Sequence, residues 1–110
     1  MSLDLFGDYK KGWYYGDGES FDEKTIECAR DAIKTLLQIG FDEVEYYPGL
    51  IGDIFIEATI SSIEFFITVN KDCTYQIYHE DSDEKEHNFD AKDETGFYEY
   101  MLMMHKGLSE

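Results

Sequence analysis

The sequence predicts an α+β fold: a three- to four-stranded antiparallel meander with one long helix packed on a face and a C-terminal helix. Three observations carry this reading. Apolar residues recur at helical spacing from Ile26 to Leu37, the period changes to two after Gly40, and short turn signals separate the alternating runs that follow. The 110 residues match the size of one domain, 1–110, with no internal repeat. Hydrophobic residues supply 43% of the chain and aromatic residues 16%. That content can offset the ordering entropy of a highly charged chain, so the chain is expected to fold.

Residues 1–19 read as a docking arm, punctuated by Gly7, Gly12, Gly16 and Gly18 and carrying Trp13 for the core. Ser20 and Glu23 then stand in capping-box relation ahead of a helix over 21–39. Ile26, Ala29, Ile33, Leu36 and Leu37 form its apolar stripe, Glu27 lies off it, and Gly40 supplies the stop. Phe41–Tyr47 alternates Val44 and Tyr46 with Glu43 and Glu45 and ends at Pro48, which suggests a first strand. Asp53–Ile60, Ile63–Val69 and Thr74–Glu80 follow as strands, joined by turns at Ser61-Ser62 and Asn70-Lys71-Asp72. Residues 81–94 read as a solvated acidic connection. Phe97, Met101, Leu102 and Met104 then place a second helix over 95–106, ending at Gly107.

Charge bounds the function. Nine Lys+Arg against 25 Asp+Glu leave a formal net charge of −16. Such a surface repels polyphosphates and anionic headgroups, so neither nucleic acid nor membrane is expected as a partner; a basic protein surface is. No run approaches the ~20 apolar residues that span a bilayer. The N-terminal stretch lacks the apolar segment of a signal peptide, so the expected location is cytoplasmic. There Cys28 and Cys73 read as free, buried or half-buried thiols, since cytosolic thiols stay reduced.

No catalytic motif emerges, so the chain reads as a non-enzyme with no cofactor. His79, with Glu80 and Asp81, and His87 among carboxylates lack metal-ligand spacing and read as surface histidines in acidic company. Asp81, Asp83, Glu84 and Glu86 lack the Gly turn and order of a calcium loop. Ser61-Ser62 has no nucleophile-elbow context, and Gly12-Trp13-Tyr14-Tyr15-Gly16 has no P-loop Lys after it. The tyrosines are too many for a small core. Tyr set among carboxylates is the composition of a protein–protein surface, with aromatic anchors and complementary charge. Equally, the tyrosines can simply cover the two sheet faces with their hydroxyls at the rim. The candidate partner-binding residues are Tyr46, Tyr47 and Tyr78, with Glu43, Glu45, Glu57 and Asp81 supplying charge. The expected role is to cover a basic protein in the manner of an immunity protein, antitoxin or inhibitor; the alternative is a small accessory domain whose acidity serves solubility.

Gly12-Trp13 with Gly16 and Gly18, the helix from Phe21, Pro48 through Gly52-Asp53-Ile54-Phe55-Ile56-Glu57, and the strand Thr74–Glu80 together resemble a widespread group of small prokaryotic proteins of uncharacterised function. The two tyrosines between Trp13 and Gly16 depart from that pattern. The resemblance implies an α+β fold in a bacterial or phage setting and no chemistry.

Overall fold

A computed structural model describes residues 21–81 and 83–109. The expected 1–19 arm and the Ser20 cap lie outside them. Helix α1 (Glu23–Ile39) precedes strands β1 (Glu43–Pro48), β2 (Ile54–Ile60), β3 (Ile63–Val69), β4 (Tyr75–Glu80) and β5 (Glu86–Ala91), and helix α2 (Glu94–Ser109) closes the order. The strands form one antiparallel meander in sequence order. The α+β class and meander stand as expected, with one strand more. That strand lies in the stretch read as an acidic connection. Its segment EHNFDA is poor in strand-favouring residues, and only its ladder with β4, from Tyr75↔Ala91 to Glu80↔Glu86, makes it a strand.

Both helices lie on the same face of the sheet. Ile54, Ile56, Phe65, Ile67, Val69, Tyr75 and Ile77 point into that layer and are almost wholly buried. From α1, Thr25, Ile26, Ala29, Ala32 and Leu36 face it. The face is therefore rotated from the expected stripe: Leu37 is 57% exposed and Ile33 half-buried, while Ala32 and Thr25 take the inward positions. Small residues let the helix sit close to the strands, and Thr25 Oγ1 satisfies itself on the Lys71 carbonyl at 3.2 Å. Gly40 ends α1 at φ 115°, a left-handed conformation, with its N–H on the Leu36 carbonyl at 3.1 Å. Asp93 caps α2 through Oδ1 to the Gly96 N–H at 2.8 Å. The second helix buries Phe97 and Met101 and continues through Gly107 to Ser109 rather than stopping there.

The two cysteines are bonded, not free. Cys28 on α1 and Cys73 in the β3–β4 turn form a disulfide across Cα atoms 6.0 Å apart. Cys73 takes a left-handed φ of 64° in that turn. The tie pins α1 to the sheet end, close to where Thr25 meets Lys71.

Candidate functional site

With both helices on one face, strand alternation sends every second side chain to the other. On β1 these are Glu43, Glu45 and Tyr47; on β2, Phe55, Glu57 and Thr59; on β3, Glu64, Phe66 and Thr68. Gln76, Tyr78 and Glu80 continue the face on β4, and Glu86, Asn88 and Asp90 complete it on β5. No described element covers this surface, and no strand position on it holds a Lys or Arg. Tyr47, Phe55 and Phe66 are each 40–42% exposed, high for such large apolar rings.

The ladder registers set like charges against each other. Glu45 stands opposite Glu57, and Glu80 opposite Glu86. Directly opposed like charges destabilise a sheet, so the free protein carries a repulsion here. The tyrosine hydroxyls absorb part of it. Tyr47 donates to Glu45 Oε2 at 2.5 Å, and Tyr78 lies 3.2 Å from both Glu80 Oε1 and Glu86 Oε1. The Glu45 hydrogen bond, with lost water contact and the charges of Glu45 and Glu57, pushes the Tyr47 phenol up to about 12. Lost water contact, then the charges of Glu86 and Glu80, raises Tyr78 as well. Both phenols therefore remain neutral donors across the physiological range.

Phe66 and Tyr78 lie side by side, ring centroids 6.2 Å apart. They wall a depression of about 370 Å³ whose rim includes Glu64, Glu80 and Asp81. Aromatic faces beside carboxylates are the surroundings in which a Lys ammonium or Arg guanidinium is held by both charge and ring quadrupole.

Of the residues expected to bind a partner, Tyr47, Tyr78, Glu43, Glu45 and Glu57 share this face, and Asp81 reaches its rim. Tyr46 does not. It stands opposite Ile56 on the helix-covered side, half-buried against the core, because neighbouring strand residues point to opposite faces. The face also holds Phe55, Phe66, Glu64, Glu86 and Asp90, which sequence reasoning passed over. Parity along β2 and β3 was the available signal: Phe55 and Phe66 alternate out of phase with the Ile positions.

Of the two histidines expected at the surface in acidic company, His87 is exposed beside Asp81, whereas His79 is not. His79 is only 4% exposed, inward on β4 between Phe65 and His87, with ring centroids at 4.3 and 5.0 Å. Its Nε2 meets the Tyr100 hydroxyl at 2.7 Å, while Nδ1 is buried without a hydrogen-bond partner. Burial, then the neighbouring His87, lowers its pKa; the Glu80 backbone and the Asp81 charge oppose that shift. His87 Nε2 bonds Asp81 Oδ2 at 2.9 Å, and Asp81 Oδ1 accepts the N–H groups of Asp83 and Lys85 at 2.8 and 3.0 Å. These bonds, that of His87 foremost, lower the Asp81 carboxyl to about 2. Asp81 is thus the organiser of the β4–β5 turn as well as a charge. Among the described residues no three His, Cys, Asp or Glu side chains converge to hold a metal, and no helix is long and apolar enough to cross a membrane.

The chain matches no protein-family model, no curated protein and no solved structure.

Proposed function

We propose that this chain is a non-enzymatic binding protein that covers a basic protein surface with the open face of its sheet, as an immunity protein, antitoxin or inhibitor does. One observation carries the reading: opposed carboxylates and exposed aromatic rings share a sheet face with no cation in its strands. A face kept only for solubility would gain from interspersed lysines and would not expose Tyr47, Phe55 and Phe66 together. A cationic partner relieves the repulsion, and the rings supply the desolvated anchors that hold it. Nucleic acid and anionic membrane are repelled by the same charge.

The test is retention of proteins from the source cell on the immobilised chain at about 0.1 M and 1 M salt, where the Debye length falls from ~10 to ~3 Å. A basic protein held at low salt, released at high salt, and lost with Phe66→Ala or Glu57→Lys supports the proposal. Retention unaffected by either substitution returns the charge to the role of a solubility device.

A further inference from the structure

On the opposite side of the sheet from the open face, a cavity of about 400 Å³ lies between β3–β5 and the C-terminal half of α2. Phe65 and His79 form one wall, and Ile63, Tyr100, Met103 and Met104 contribute to the rest. We propose that this cavity is a second binding site, for an uncharged planar aromatic molecule that carries one hydrogen-bond acceptor.

Size and lining come first. Small-molecule sites are mostly apolar clefts of about 300–1,000 Å³ with a few placed polar groups, and this cavity fits that description. Its walls offer flat rings and two flexible thioethers, which adapt to the edge and face of an aromatic guest. Phe89 stacks on Tyr100 with centroids 4.3 Å apart and planes 4° from parallel, so the Tyr100 ring is fixed in place.

The polar chemistry then selects the guest. Burial keeps His79 neutral near pH 7, so its ring carries one proton. A proton on Nδ1 would leave a buried N–H unmet, the costlier of the two choices, because Nδ1 has no partner. With the proton on Nε2, that N–H donates to the Tyr100 oxygen, and the hydroxyl hydrogen of Tyr100 is left for an acceptor on the guest. Burial also raises the Tyr100 pKa, so the hydroxyl keeps its proton. An anion is disfavoured by the net charge of −16 and by the Asp81 carboxylate at the cavity wall. A cation gains little from Asp81, whose oxygens already serve His87 and two backbone N–H groups.

Quinoline is a suitable probe, with naphthalene as the analogue lacking the acceptor and quinoline-2-carboxylate as the charged one. Carbon-13 methyl spectra of the full chain should show saturable shifts of Met103 and Met104 on addition of quinoline. Tyr100→Phe should weaken quinoline by roughly three- to tenfold and leave naphthalene unchanged. Met103→Trp, at a position 56% exposed and so tolerant of size, should fill the cavity and abolish both. Quinoline-2-carboxylate should not bind. Shifts that stay linear in quinoline or that survive Met103→Trp in a folded variant, or a Tyr100→Phe substitution that weakens quinoline no more than naphthalene, would overturn the assignment.

Discussion

A histidine on the covered side of a strand exchanges water for whatever its neighbours offer, and His79 is offered a phenol, a phenyl ring and another imidazole. Protonation would bury a charge beside His87, so the folded state binds that proton less readily than the unfolded chain. The folded pKa is depressed, and the unfolded chain takes up the proton first as pH falls. The contribution of neutral His79 to stability is therefore complete above the unfolded value of about 6.5 and is lost as pH drops from there toward the folded value. Urea unfolding of wild type and His79→Gln between pH 8 and 5 should show the wild-type midpoint falling more steeply below about 6.5; parallel curves would contradict the burial. That His79 faces inward was readable from its parity with Tyr75 and Ile77. Its acidic neighbours Glu80 and Asp81 pointed the other way, and sequence proximity to carboxylates says nothing about which side of a sheet a residue takes.

Elements with their own periodicity were legible; those made by their neighbours were not. The α1 helix and strands β2 to β4 carry strong apolar patterns, and each emerges close to its expected bounds. In β5 the inward residues are His87, Phe89 and Ala91, too mixed to signal a strand without β4 beside them. The helix stripe was off by a fraction of a turn because Ala32 and Thr25 gave no hydrophobic signal, although their small size is what the contact requires. Leu36→Ala should cost about 2–5 kcal/mol and Leu37→Ala no more than ~0.5 kcal/mol in chemical unfolding, and equal losses would refute the rotation. The disulfide was missed for a different reason. Two cysteines at this spacing carry no pairing signal of their own, because pairing depends on whether α1 passes over the β3–β4 turn. With its ends 45 positions apart in sequence, the bridge should contribute about 4 kcal/mol by restricting the unfolded chain. Cys28→Ser with Cys73→Ser should lower the urea midpoint accordingly, and alkylation of the unreduced, unfolded protein should find no free thiol. Full labelling of both cysteines without reductant would show that the bridge does not form.

At the scale of the molecule, the fold sorts its residues into a covered side that supplies stability and an open side that forgoes some of it. The Glu45–Glu57 and Glu80–Glu86 oppositions are costs a sheet kept only for stability would shed. Replacing Glu57 with Lys turns one repulsion into an attraction and should raise Tm by about 3–8 °C. Net charge was plain in the sequence, but its concentration on one face became visible only once five strands were in register. The two explanations of that charge, a docking face or general solubility, diverge when the same charge change is made in two places. Glu27, exposed on α1, provides the matched position on the other side of the molecule. The deciding measurement is the association rate of the retained basic protein with Glu57→Lys and Glu27→Lys at about 0.1 M salt. A docking face predicts at least a severalfold slower association for Glu57→Lys and a much smaller effect for Glu27→Lys. Equal slowing by the two variants, or none by either, would contradict the assignment of the open sheet face as the binding surface.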